Sequence, residues 1–179
     1  MLREQKRAGT PLGIEADRLT SRGQLLSDEI VVSLVKSWLE ERNGSFIFDG
    51  FPRTQGQAET LETLLGKRDT PLDVAFSLDA SFDTILDRVS RRMVCSECGN
   101  IASIGLHIEN AESKCPRCGN EMHRRSDDNE ETLRQRMEEY REKSEPLIGW
   151  YAGRGLLQHM DANRTPDEIF SDISATLEK

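Results

Sequence analysis

Apolar residues recur along this chain in two alternating periods, and the alternation predicts the fold. Ile30, Val31, Leu34, Val35, Trp38 and Leu39 fall on one face at helical spacing, which predicts an amphipathic helix. Ser27 stands where an N-cap belongs, Asp28 and Glu29 put negative charge in the first turn, and Asn43-Gly44 closes the element. Residues 45–48 then read as a short buried strand, Thr54 opens a helix running to Leu65, and residues 74–78 read as a second strand. Ser81 caps a helix bearing Phe82, Ile85, Leu86 and Val89. A helix from Glu130 to about residue 151 turns Leu133, Met137, Tyr140, Leu147 and Ile148 inward, with a kink expected at Pro146. Residues 156–160 form a third strand pattern. Thr165-Pro166-Asp167-Glu168 is a helix start with proline in first position and a capping-box glutamate, and Ile169, Ile173 and Leu177 are its buried face. Alternation of this kind predicts an α/β fold, a parallel sheet with helices on both faces. Three strands are few for such a sheet.

Composition narrows the class. The 179 residues suit one core with a small appended lobe. A formal net charge of −8 argues against general binding to nucleic acid or a membrane surface. No apolar run approaches the ~18 residues of a membrane span. The opening MLREQKRAGT has basic residues with no apolar stretch behind them, unlike a secretory signal. A soluble cytoplasmic protein is expected. His107, His123 and His159 show no ligand spacing.

The four cysteines stand as Cys95-x2-Cys98 and Cys115-x2-Cys118, with sixteen residues between the pairs. That spacing matches a four-thiolate tetrahedral zinc knuckle. Gly99 and Gly119 follow the two pairs and allow tight turns around a metal. Two disulfides or unrelated buried thiols are the bland alternatives, the first disfavoured in an intracellular chain and the second by the spacing, and iron suits the same thiolates. A site with four protein ligands has no open position, so the zinc is expected to be structural.

Phe46-Ile47-Phe48-Asp49-Gly50-Phe51-Pro52-Arg53 places an aspartate at the carboxyl end of a predicted buried strand. Open α/β sheets bind ligands there, and phosphate-transferring enzymes hold a magnesium-coordinating carboxylate there. Gly50 permits close approach, Pro52 stiffens the turn, and Arg53 offers a planar fork suited to phosphate. Arg88 and Arg92, four apart, are expected on one helix face at the hinge into the cysteine lobe, with Arg125 leaving the lobe and Arg136 on the next helix. Singly each reads as a surface charge; together they suit the negative charge of a transferring phosphoryl group.

With these motifs the chain resembles the adenylate kinases from Met1-Leu2-Arg3 to its final helix. The resemblance rests on Asp49-Gly-Phe-Pro-Arg-Thr-x-x-Gln57, on Asp87-Arg88-x-x-x-Arg92, on the cysteine lobe, and on Arg125-Ser-Asp127-Asp128 leading to Arg136. It implies a P-loop-kinase-like fold with an AMP-binding domain at residues 1–26, a core at 27–90 and 129–179, and a zinc-ribbon lid at 91–128. Arg3, Gln24, Leu25, Leu26, Gly50, Phe51, Arg53 and Gln57 would bind AMP, with Gln57 reading adenine; as Thr54-x-x-Gln57 the glutamine also fits a capping box. Arg88, Arg92, Arg125 and Arg164 would grip ATP, and Arg88, Arg92, Arg125, Arg136 and Asp49 would serve catalysis. Asp127 and Asp128 fit a helix cap or a link between lid closure and core. Zinc in the lid, magnesium with ATP, the partners ATP, AMP and ADP, and a monomer when complete are further implications.

One family feature has no match. No G-x-x-x-x-G-K-[ST] segment occurs, and Ala8-Gly9-Thr10-Pro11-Leu12-Gly13 lacks its lysine. By resemblance, roughly thirty residues carrying two strands and this phosphate loop would precede Met1. A truncated gene start is the first expectation, with a separately encoded piece or a decayed remnant as alternatives. Two functions follow: an adenylate kinase, whose activity in these 179 residues alone is in doubt, or a catalytically inactive zinc-containing protein that binds nucleotide or a partner. A kinase for another nucleoside monophosphate is disfavoured by Thr54 and Gln57.

Overall fold

The computed structural model of the chain describes residues 2–22 and 24–178; the side chain of Arg3 lies outside the described residues. Helices α1 (Leu2–Arg7) and α2 (Pro11–Thr20) form a hairpin that no apolar stripe announces. Thr10 caps α2 by accepting from the Gly13 N–H at 3.1 Å, and Pro11 takes the first helical position. Gly13 lets the two helices cross: a Cβ there would stand 2.1 Å from the Gln5 carbonyl oxygen.

Helices α3 (Asp28–Glu40) and α4 (Gln55–Gly66) follow, then strand β1 (Ala75–Asp79) and α5 (Phe82–Arg91). Thr54 and Ser81 cap α4 and α5 through the N–H groups of Gln57 and Thr84, as their spacing predicts. Ser27 holds the N-cap position of α3 but makes no side-chain capping bond. Strands β2 (Arg92–Cys95), β3 (Ile101–Ser103) and β4 (Met122–His123) make an antiparallel ribbon ordered β3-β2-β4, which is the cysteine lobe. Helices α6 (Glu130–Glu139) and α7 (Pro146–Ala152) return the chain to strand β5 (Leu157–Asp161), parallel to β1 from Ala75↔Leu157 to Asp79↔Asp161. Helix α8 (Pro166–Leu177) opens on the full capping box of Thr165 and Glu168 and packs on β5.

Two elements depart from the pattern. Residues 45–48 join no ladder; among the described residues the parallel sheet consists of β1 and β5. An apolar run satisfies the strand pattern, but a strand exists through a neighbour's hydrogen bonds. Phe46 and Phe48 instead pack with Trp38 and Phe51, while Ile47 is 84% exposed. The helix expected through residue 151 is broken earlier than Pro146, by a π turn at Tyr140–Ser144. Proline offers no N–H, and just before it the turn widens, the Glu145 N–H donating to the Tyr140 carbonyl at 2.8 Å.

The apolar faces of α3 and α4 meet in Val35, Leu39, Leu61 and Leu65. Ala58, Leu147 and Tyr151 form a second cluster against the parallel strands, and Leu72 touches both. The lobe has a separate core of Met93, Cys95, Ala102, Ile108, Cys115 and Met122.

Candidate active site

Helices α1 and α2, the loop at 24–25, the turn at 50–53, the lobe and α6 surround a cleft of about 1040 Å³. Lys6, Arg7, Arg53, Arg92, Arg117, Arg125 and Arg136 line it, against Asp17 and Glu139. A chain of net charge −8 thus gathers seven cations on one concave surface. Such focusing selects an anionic ligand. Helix α1 and the lobe approach closely, since the Arg7 Nη2 lies 3.1 Å from where a Cβ on Gly99 would stand.

Two carboxylates at the lobe's exit hold three of these arginines. Asp127 accepts from Arg125 Nε at 2.9 Å and Nη2 at 2.6 Å, and also from Arg136 Nη2. Asp128, its side chain 1% exposed, accepts from Arg92 Nε at 2.8 Å and from its Nη2. Buried carboxylates are tolerable only when paired in this way. Three guanidinium charges against two carboxylates leave the network positive. Burial pushes the Asp127 carboxyl up, but hydrogen bonds and charge from Arg125 and Arg136 outweigh it and hold the group below its ordinary 3.8. A depressed carboxyl stabilises the fold above the unfolded value, and that contribution is lost as pH falls through the lower folded value. Asp127→Asn is therefore expected to lower the melting temperature at neutral pH and to flatten its fall below about pH 4. A melting curve with an unchanged acid limb would count against the network.

The turn after residues 45–48 presents Arg53 to the cleft. Gly50 has φ +73°, and a Cβ there would lie 2.9 Å from Arg53 Nη2, so the position requires glycine. Arg53 Nε donates to the Gly50 carbonyl at 2.8 Å. Arg53 keeps exposed surface, yet the surrounding protein displaces enough water to lower its pKa, with Asp49 opposing and Arg136 adding to the shift. A bound anion would relieve that cost. Gln57, 2% exposed, lies behind this turn. Its Oε1 accepts from the Arg53 N–H at 2.8 Å and its Nε2 donates to Asp28 Oδ1 at 2.7 Å. The Gln57 side chain thus bonds the Arg53 N–H, not the Thr54 N–H that a capping box would use.

The four cysteine sulfurs lie within 4.8 Å of one another, with Cys95–Cys118 at 3.5 Å and Cys98–Cys115 at 3.6 Å. All four are free thiols. Tetrahedral zinc with Zn–S near 2.3 Å requires sulfurs about 3.8 Å apart, so the donor set fits a metal. Crowding splits the thiols: the Asn120 N–H is the first cause that lowers Cys118 to about 6, while at Cys98 the Asn100 N–H is outweighed by burial and the neighbouring sulfurs, which push it up to about 12.

The remaining predicted residues scatter. Arg88 and Arg92 do not share a helix face: α5 ends at Arg91, and Arg92 is extended at the start of β2. Arg88 turns away and donates to the Arg164 carbonyl at 2.8 Å, while Arg164 pairs with Asp172. Gln24 and Leu25 line the cleft, whereas Leu26 is buried and Phe51 packs in the aromatic cluster. Asp49 is exposed beside Arg53. Arg3 lies on α1, its side chain outside the described residues. Lys6, Arg7 and Arg117 were not anticipated. The first two sit three and four positions after Arg3, a spacing that shares a helix face; Arg117 lies inside the second cysteine pair.

A parallel α/β unit with a cation-lined cleft beneath a four-cysteine lobe fits the P-loop-kinase-like class with a zinc-type lid. The adenylate kinase family model matches residues 1–156. The adenylate kinase of Thermodesulfovibrio yellowstonii is 42% identical over 181 residues, spanning 100% of this chain and 84% of that protein. Those of Methanococcoides burtonii and Erythrobacter litoralis are 36% and 40% identical, each covered over 84% of its length. The chain belongs to the adenylate kinase family.

Proposed function

We propose that the cleft takes the phosphates of AMP and ATP and serves reversible phosphoryl transfer from Mg-ATP to AMP, giving two ADP. The observation that carries this reading is the set of seven cations on one cleft of an acidic chain. Arg53, with Arg3, receives the AMP phosphate; Gly50 and Phe51 shape that turn. Gln57 meets the adenine, and Gln24, Leu25 and Leu26 supply its other wall. Arg92, Arg125 and Arg136 neutralise the ATP phosphates and the group in flight, where positioning and electrostatics supply most of the catalysis. Arg88 on α5 and Arg164, in the turn ahead of α8, act from a neighbouring edge. Phosphate oxygens take the remaining N–H groups of Arg92, Arg125 and Arg136, which keep Asp127 and Asp128 as partners, as the lid of residues 91–128 closes over the core of 27–90 and 129–179. Residues 1–26 form the AMP side. Cys95, Cys98, Cys115 and Cys118 would hold a structural zinc, and Asp49, exposed beside Arg53, would offer a carboxylate to the magnesium that accompanies ATP. Among the described residues no helix is long and apolar enough to cross a membrane. We further propose a cytoplasmic location and, for the complete protein, a monomer; a four-cysteine spacing that suits a metal better than disulfides supports the location.

The test is calorimetric titration of the chain with AMP and with adenosine. AMP is expected to bind, adenosine far more weakly, and Arg53→Ala to weaken AMP about tenfold to hundredfold, the worth of one charge-assisted phosphate contact. Equal affinities for AMP and adenosine would overturn the reading. One observation favours a second reading, nucleotide binding without catalysis: these 179 residues contain no G-x-x-x-x-G-K-[ST] segment. A coupled ADP assay separates the two, since turnover supports the kinase and AMP binding without turnover supports the binder.

A further inference from the structure

Asp28, the first residue of α3, bonds two groups that lie on either side of the α4 N-terminus. Its Oδ2 accepts the Thr54 hydroxyl proton at 2.6 Å, and its Oδ1 accepts from Gln57 Nε2 at 2.7 Å. With its proton directed at Asp28, the Thr54 oxygen has lone pairs to accept the Gln57 N–H at 3.2 Å. The Gln57 carboxamide is therefore gripped at both ends: an ionised carboxylate can only accept, and the Arg53 N–H can only donate. One flip state satisfies both partners. The other sets Oε1 against a carboxylate and NH2 against an N–H, losing two hydrogen bonds inside a buried site. Among the described residues, these contacts use one of the two Nε2 hydrogens and one of the two Oε1 lone pairs. The unused pair is one donor and one acceptor, in an order that Asp28 sets.

We propose that Asp28 is a positioning residue for base specificity, holding Gln57 in the flip state whose free donor and acceptor match adenine. The proposal rests on the reading of Gln57 as the residue that meets the base. Adenine offers an acceptor at N1 and a donor at N6; hypoxanthine offers a donor at N1 and an acceptor at O6. A fixed amide accepts the first and opposes the second, because a mismatched base leaves buried polar groups unpaired. A freely flipping amide would serve both.

The experiment measures the affinities of the 179-residue chain for AMP, IMP and ribose 5-phosphate by calorimetry. The AMP-to-IMP ratio is taken on one protein, so a loss of stability that weakens both ligands leaves it unmoved. Asp28→Asn has one side-chain acceptor for two donors and is expected to reduce the ratio about tenfold, or about 1.4 kcal/mol. Its affinity for ribose 5-phosphate stays at the wild-type value. Asp28→Glu, which keeps the charge and both acceptors, retains most of the ratio. Gln57→Ala loses it as well, and adding Asp28→Asn to Gln57→Ala loses nothing more, because the two act as one unit. Asp28→Ser asks the same question should the asparagine variant fold poorly. A wild-type ratio in Asp28→Asn beside a reduced one in Gln57→Ala overturns the role of Asp28 and leaves Gln57 in place. An unchanged ratio in both variants overturns the reading of Gln57 and the proposal with it.

Discussion

Replacing Arg125 with alanine is expected to lower phosphoryl transfer by about 10³–10⁵-fold, the worth of an arginine that meets charge in the transition state. The assay uses the 179-residue chain and, beside it, a chimera that carries the G-x-x-x-x-G-K-[ST] phosphate loop which these residues do not contain. Arg125 is chosen because its removal separates chemistry from folding. Asp127 keeps Arg136 as a partner when Arg125 is gone, so no buried carboxylate is orphaned. Arg125→Lys should recover little, since a point charge does not reproduce the planar two-pronged contact. Arg18→Ala, which breaks an exposed pair with Glu15, is the control and should leave the rate alone. Steady-state and single-turnover rates decide it. Similar small effects from Arg125→Ala and Arg18→Ala would return Arg125 to the surface charges.

The second large effect is expected from Cys115→Ser, which should cost the chain its zinc and unfold the lobe while leaving the rest folded. Cys95 and Cys115 are two of the six buried residues of the lobe's own core, at 1% and 2% exposure. A core this small cannot hold an antiparallel ribbon without a staple. Structural zinc contributes about 10–16 kcal/mol of apparent binding free energy in isolated knuckles, all of it available to folding. The lobe core is separate from the α3–α4 and β1–β5 clusters, so the loss should remain local. Hydrogen exchange should show fast amides across residues 92–123 with protection retained in α3 and α4. Elemental analysis should find one zinc per wild-type chain and none in the variant. Anion affinity should fall as well, because the lobe supplies Arg92, Arg117 and Arg125 to the cleft. Full protection of the lobe in a metal-free chain would refute the structural role.

Much of the fold was legible because much of it is local. Thr54, Ser81 and Thr165 cap their helices as the spacing predicts, since each bond reaches a backbone N–H three residues on. The cysteine pairs are similar, each being a turn that brings two thiols together, and the fold gathers the two pairs. Residues 45–48 failed as a strand because their apolar alternation carries no information about a neighbour. The aromatic residues of that segment found Trp38 and Phe51 instead. The arginines were half legible. Their number and scatter suggested a phosphate site, but the helical spacing of Arg88 and Arg92 misled, because α5 stops between them.

By itself, then, the sequence determined the family motif, the spacing of the four-cysteine cluster, three helix caps, and helices α3, α4, α5 and α8 with strands β1 and β5. Each depends on residues a few positions apart, where backbone geometry permits few arrangements. Tertiary structure decided which cations converge, that Arg92, Arg125 and Arg136 share two carboxylates, and that Lys6, Arg7 and Arg117 join them. It also decided that Asp28, 29 positions before Gln57, orients that amide. These contacts come from elements distant in the chain, and their partners are selected by packing and by the cost of burying an unpaired charge. No local pattern encodes that cost.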